Sequence, residues 1–207
     1  MELIIISPEK SLEHECESVN GMFADGLMKF HLRKPEFGLS EIRKYLENID
    51  AQYYSRIVIH SHFVLADEFD LGGVHYPSEY RKSIKPAALY DHRHDWHEKR
   101  KVLTSSFHTG DSFSTSALFD YVFYSPVANS ISKTDRTMVD PLQMIIDLSF
   151  IKTDIIALGG IYPELMKSME LNFFNGVAAL GWIWEKGNDP IKQFNLLKET
   201  CPATASL

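Results

Sequence analysis

Two cysteines, Cys16 and Cys201, are all the thiol chemistry in this chain of 207 residues. A disulfide framework or a cysteine metal motif needs more thiols at closer spacing, so a reduced, cytoplasmic protein is expected. Long apolar runs are missing too, and none approaches the ~20 residues of a membrane-spanning helix. Met1-Glu2-Leu3-Ile4-Ile5-Ile6 lacks the charged start of a signal peptide and reads as a strand. Basic residues are the minority, 21 Lys and Arg against 28 Asp and Glu, for a formal charge of −7. That balance argues against nucleic acid or an anionic membrane as the main partner. An anionic ligand must then be met by a local basic site. What remains is ordinary for a globular protein, 44% apolar and 24% charged, and the length favours one domain with a sizeable core.

The stretch Asp154-Ile155-Ile156-Ala157-Leu158-Gly159-Gly160-Ile161-Tyr162 gives the pattern of the whole. An apolar run of strand length, suited to burial on both faces, stops at two glycines, and Pro163 then opens a helix. Glycine backbone beside a helix start suits a phosphate, and a plain strand-to-helix turn suits it equally well. Similar units recur. Strands are expected at 3–7, 27–33, 56–60, 71–75, 102–106, 121–124, 154–158 and 177–180. Helical spacing lies between them, as in Leu12, Cys16, Val19 and Phe23, or Ile42, Tyr45, Leu46 and Ile49. A Ser-rich helix is expected up to Phe119, and Asp140-Pro141 and Asp189-Pro190 each set a cap residue before a first-turn proline. The tract 90–101, with His92, His94 and His97 among charges, reads as a solvated helix with Trp96 turned inward rather than a metal site. Eight strands alternating with helices predict an α/β, single-domain (β/α)8 TIM barrel with short loops over 1–200, and a frayed tail over 201–207. An open doubly wound sheet is the other arrangement this count allows.

Chemistry in such a barrel sits at the C-terminal strand ends. There the sequence sets His31, Arg33 and Lys34 after strand two, His60 and His62 after strand three, and His75 after strand four. Ser106 and His108 follow strand five, Ser130, Ser132 and Lys133 lie in the loop after strand six, and Gly159, Gly160 and Gly181 follow strands seven and eight. Five of nine histidines thus share one expected rim, with Arg33, Lys34 and Lys133 as its positive charge. Glycine turns after the last two strands match the usual phosphate site of this fold, so a small phosphorylated molecule is the inferred ligand.

In order along the chain, Phe30-His31-Leu32-Arg33, Leu71-Gly72-Gly73-Val74-His75, Ser106-Phe107-His108-Thr109, residues 120–127 with Ser130-Ile131-Ser132-Lys133, Ala157-Leu158-Gly159-Gly160-Ile161 and residues 176–180 resemble the thiamine phosphate synthase/TenI family of (β/α)8 barrels. The resemblance implies thiamine biosynthesis by one of two branches. Synthases join hydroxymethylpyrimidine diphosphate to a thiazole phosphate with Mg2+ and expel pyrophosphate; TenI-type tautomerases move a proton to aromatise a thiazole phosphate and need no cofactor. Either would hold the thiazole phosphate at Gly159, Gly160 and Gly181, and the pyrophosphate-contacting positions correspond to Ser106, Ser130, Ser132 and Lys133. No membrane or nucleic acid is implied, and a homo-oligomer is left open.

The chain departs from the synthase pattern where that reaction uses metal. The family's Gln-x-Arg-x-Lys is His31-Leu32-Arg33-Lys34-Pro35, its Asn-Asp is His60-Ser61, and its second metal carboxylate falls on Tyr80, with Glu79 as the one nearby substitute. Metal neutralisation of a leaving pyrophosphate is worth several kcal/mol, and each ~1.4 kcal/mol is a factor of ten in rate. Proton transfer needs no metal, and His108 occupies the tautomerases' acid/base position. A tautomerase with His108, Arg33 and Lys133 as catalytic residues, His31, Lys34, His60 and His75 as substrate contacts and no metal is therefore the expectation. A synthase, a hydrolase using His60-x-His62 with His31, His75 and His108 as metal ligands, and a non-catalytic thiazole phosphate binder are its alternatives.

Overall fold

A computed structural model describes residues 1–128, 141–168, 173–187 and 189–201. Eight parallel strands pair in sequence order and close, with β8 hydrogen-bonded to β1, so the barrel is the architecture and the open sheet is not. The strands are β1 (Glu2–Ile6), β2 (Lys29–Leu32), β3 (Ile57–Ile59), β4 (Gly73–Tyr76), β5 (Val102–His108), β6 (Tyr121–Ser125), β7 (Asp154–Leu158) and β8 (Gly176–Ala179). The helices are α1 (Glu15–Ala24), α2 (Leu39–Glu47), α3 (Val64–Glu68), α4 (Ser78–Ser83), α5 (Pro86–Glu98), α6 (Pro141–Phe150), α7 (Pro163–Ser168), α8 (Gly181–Trp184) and α9 (Pro190–Thr200). No helix among the described residues is long and apolar enough to cross a membrane.

Strand alternation divides the apolar residues into two cores. Ile5, Phe30, Leu32, Ile59, Val74, Leu103, Val122 and Val177 face outward and bury against the helices. Ile4, Ile6, Tyr121, Phe123, Ile156 and Ala178 fill the barrel axis. Of the two cap-plus-proline starts, the described one holds: the Asp189 carboxylate caps α9 by accepting from the Lys192 N–H at 3.0 Å. Asp140 lies outside the described residues.

One expected helix is absent. The Ser-rich segment before Phe119 holds only a 3-10 turn, Ser116–Leu118. Its polar side chains satisfy local backbone or one another instead: Asp111 accepts from the His108 N–H at 3.0 Å, and Ser112 and Ser114 hydroxyls pair at 3.1 Å. Strand four also starts later than expected, since Gly72 donates its N–H to the Tyr54 carbonyl outside the sheet.

Lys34 is the largest correction to the expected rim. It is buried behind the strands, where its ammonium meets Glu15 at 2.6 Å and the Lys10 carbonyl at 3.0 Å, while the Tyr45 hydroxyl donates to the other Glu15 oxygen at 2.8 Å. Position parity explains this: Arg33 shares the inward side of Lys29 and His31, so its neighbour faces the helices. Removing one member of a buried ion pair strands the other charge, at a cost of about 3–5 kcal/mol. Lys34→Met should lower urea stability by that amount, and Lys34→Met with Glu15→Gln should recover part of it. An unchanged denaturation midpoint would contradict this role.

Candidate active site

A cavity of about 350 Å3 opens at the C-terminal ends of the strands, lined by Arg33, His60, His75, Pro77, Ser78, Glu79, Ser106, His108, Phe123, Ser125 and Leu158. Inward positions of β2 and β4, with the residue following β3, supply its floor. Where branched aliphatics usually fill such a layer, this barrel has His31, His60 and His75. All three are buried.

Their rings form one connected assembly. His31 Nδ1 lies 2.9 Å from His60 Nε2, and His31 Nε2 lies 2.6 Å from the Tyr121 hydroxyl. His60 and His75 stack with centroids 4.1 Å apart and planes at 19°, and Phe123 leans on both His31 and His75. His75 Nδ1 is 2.8 Å from Thr104 Oγ1, whose hydroxyl donates to the Val74 carbonyl. Since a carbonyl only accepts, that oxygen is left to accept from His75 Nδ1–H, and His75 Nε2 then accepts from the Ser106 hydroxyl at 2.8 Å. Burial strips water from the charged imidazolium, and this lowers all three pKa values. For His31 and His60 the lowering is strong, with neighbouring histidines adding to it. For His75 the value falls to about 3, with Arg33 as the second cause. These rings are neutral and are not the acids of a reaction near pH 7.

His108 is differently placed. It is exposed at the mouth, with Nδ1 3.2 Å from the Ser125 carbonyl and 3.0 Å from Ser125 Oγ. A carbonyl only accepts, so Nδ1 carries a proton directed at it. The loop carrying His108 is tied to α4: Asp111 takes the His108 N–H, pairs with Arg81 at 3.0 Å and meets Lys82 at 2.9 Å. Arg81 lies 3.8 Å over the Phe107 ring, and Ser78 donates to the Ser106 carbonyl at 3.0 Å. These supports come from three separate segments with no shared spacing, so sequence reasoning missed Ser78, Arg81 and Asp111. Ser125 was visible as a strand end, without a role.

The structure brings together Arg33, His60, His75, Ser106 and His108, with Glu79 on the same wall. Arg33 is paired with Glu9. His31 sits beneath the cavity rather than on its rim, and His62, at φ 52°, turns its Nε2 to the Phe37 carbonyl at 3.0 Å. The His60-x-His62 chelate of the hydrolase alternative therefore does not form. Gly159 and Gly160 follow β7 at φ 103° and 69°, conformations that cost a residue with a β-carbon. A β-carbon on Gly181 would come 3.5 Å from the Glu185 carboxylate, which sets negative charge beside one of the expected phosphate turns. Ser130, Ser132 and Lys133 lie outside the described residues.

No family model matches the chain, and no curated protein matches it. Among solved structures it is similar to thiamine phosphate pyrophosphorylase from Bacteroides thetaiotaomicron, at 28% identity over 97% of each chain and a TM-score of 0.72. Thiamine phosphate pyrophosphorylase from Pyrococcus furiosus is similar at 17% identity, covering 96% of this chain and 94% of its own, with a TM-score of 0.69. A 3-hexulose-6-phosphate synthase reaches 0.68 at 13% identity over 98% and 100% of the two chains. The last two share the fold. The first supports the resemblance to the thiamine phosphate synthase/TenI family as a whole, without choosing its TenI branch.

A folded-state histidine pKa below the unfolded ~6.5 means that unfolding takes up protons as pH falls, so stability is full above 6.5 and is lost below it. At pH 5.5 each buried neutral histidine should cost about 1.4 kcal/mol relative to high pH. Chelator-treated protein should lose roughly 4 kcal/mol between pH 7.5 and 5.5 through the trio, and His75→Gln should lose about a third less. Equal pH slopes in urea unfolding of wild type and variant would contradict the neutral assignment.

Proposed function

We propose that the barrel mouth binds a phosphorylated thiazole and that the chain joins it to hydroxymethylpyrimidine diphosphate, the thiamine phosphate synthase reaction. The observation that carries this reading is the 28% identity with a thiamine phosphate pyrophosphorylase across 97% of both chains. The mouth supports it with Arg33 and the Ser106 hydroxyl facing one cavity, the groups that would meet a leaving diphosphate. This reverses the order in which the two branches stand on sequence alone.

The residues present do not make a magnesium site. Mg2+ takes carboxylate and water oxygens in an octahedron, and Glu79 is the one carboxylate lining the described cavity. His60 and Ser61 stand where the family's Asn-Asp would be, and the Tyr80 ring packs against Phe63 and Tyr76. The chain's own part in coupling is then positional and electrostatic. Arg33 neutralises the diphosphate as the bond to the pyrimidine methylene breaks, and the mouth holds the thiazole nitrogen toward the reacting carbon.

The arrangement of His108 favours a second reading, the tautomerase. Its Nδ1 is held by Ser125 and its other nitrogen is left to accept or return a proton at a thiazole carbon. Proton transfer of this kind contributes about 10²–10⁴-fold in rate.

The two readings part on substrate. Mixed with hydroxymethylpyrimidine diphosphate, aromatic thiazole phosphate and Mg2+, the protein should release pyrophosphate and form thiamine phosphate. Arg33→Ala should reduce kcat/KM by roughly 30- to 150-fold, the loss of about 2–3 kcal/mol from a charged hydrogen bond. Aromatisation of the thiazole carboxylate without coupling, abolished by His108→Asn, would replace the first reading with the second. Neither reaction occurring would sink both.

A further inference from the structure

We propose that His31, His60 and His75 are a three-histidine site for a divalent transition metal of the zinc class, open to the mouth cavity at its remaining coordination position. This inference does not rest on the thiamine reading, and its ion and ligands differ from the Mg2+ and Glu79 of the synthase alternative.

The donor set comes first. One nitrogen from each of the three rings lies within 4.8 Å of one from each of the others, and no carboxylate joins this group among the described residues. Imidazole nitrogens suit zinc, cobalt, nickel, copper and iron, and they are poor ligands for Mg2+. Two imidazole nitrogens around a tetrahedral zinc stand ~3.3 Å apart, given Zn–N bonds of about 2.0–2.1 Å. His31 Nδ1 and His60 Nε2 are already 2.9 Å apart, and binding a third nitrogen requires His75 to turn out of its 19° stack on His60. The rings come from three neighbouring strands whose pairing registers are fixed by the barrel, with Ile59 beside Val74 so that His60 stands beside His75.

The outer contacts are those that a metal-binding histidine uses. A ligating imidazole normally donates its second N–H to a fixed acceptor, which sets tautomer and ring orientation. Tyr121 hydroxyl sits 2.6 Å from His31 Nε2, so His31 can present Nδ1. Thr104, held by the Val74 carbonyl, accepts from His75 Nδ1, so His75 presents Nε2. The proton that now joins His31 to His60, and the Ser106 hydroxyl on His75 Nε2, occupy the position an ion would take.

The opening is on the correct side. His60 and His75 line the cavity while His31 lies beneath it, so an ion among them faces the mouth. Three neutral ligands leave the full double charge uncompensated, and Arg33 adds another positive charge to the same cavity. Glu9 pairs with Arg33 and the Glu79 carboxylate lines the same cavity, so the exchangeable ligand is an oxygen donor, a water or an added phosphate or carboxylate.

The test uses the full, untagged chain, stripped with chelator and titrated with Co2+ alone. One Co2+ per chain should bind, with the strong visible absorption of a low-symmetry four- or five-coordinate ion. Zn2+ should displace it and raise Tm, and added inorganic phosphate should shift the spectrum. His75→Gln should weaken binding at least 100-fold. Thr104→Val, which keeps the ligands and nearly the shape, should weaken it about 10- to 100-fold, and so remains informative if the histidine variant fails to fold. His94→Ala, in the exposed histidine tract of α5, should change nothing. Co2+ left unbound at equimolar protein, or lost with His94→Ala while Thr104→Val retains it, would overturn the proposal.

Discussion

A closed eight-stranded barrel must fill its own axis, and this one fills the layer beneath its mouth with three imidazoles rather than aliphatic side chains. Each ring brings two nitrogens into a buried layer, and an unpaired polar group there costs several kcal/mol. The surrounding chemistry follows from meeting that demand. Tyr121, Thr104 and Ser106 are polar at inward positions because the rings need partners, and Phe123 supplies an apolar face over them. Tyr121 is itself covered by the Lys29 ammonium, 4.4 Å above its ring. The mouth inherits a neutral, rigid floor, with its charge concentrated above in Arg33 and Glu79.

That division separates two kinds of histidine work. Rings held neutral by burial can accept a hydrogen bond or a metal, but they do not cycle protons near pH 7. His108, at the exposed end of β5, is instead braced by Asp111, Arg81 and Ser125. Coupling chemistry needs an anion sink more than a proton shuttle, whereas tautomerisation needs the reverse. The similarity to a pyrophosphorylase is what tips the proposed reading toward coupling.

Much of this was legible in the sequence. Unbroken apolar runs such as Ile155–Leu158, buried on both faces, marked the parallel strands, and glycines after strand seven marked the turn that Gly159 and Gly160 make. Side-chain parity was legible as well. Lys29, His31 and Arg33 share one side of β2, which assigns Phe30, Leu32 and Lys34 to the other, so parity itself conflicts with a rim position for Lys34. Strand parity fails at His62 for a different reason: its left-handed backbone breaks the alternation, and nothing local announces that. The contacts of His108 with Ser125 and Asp111, and of Asp111 with Arg81, join separate loops and could only be read in three dimensions.

The neutrality of the buried trio is the claim on which the floor of the site stands. Ring 15N shifts of metal-free protein labelled at histidine, followed from pH 7.5 to 4.5, test it directly. His31, His60 and His75 should keep one protonated and one bare nitrogen throughout, with the proton of His75 on Nδ1. An imidazolium signature at any of the three near pH 6 would contradict the account.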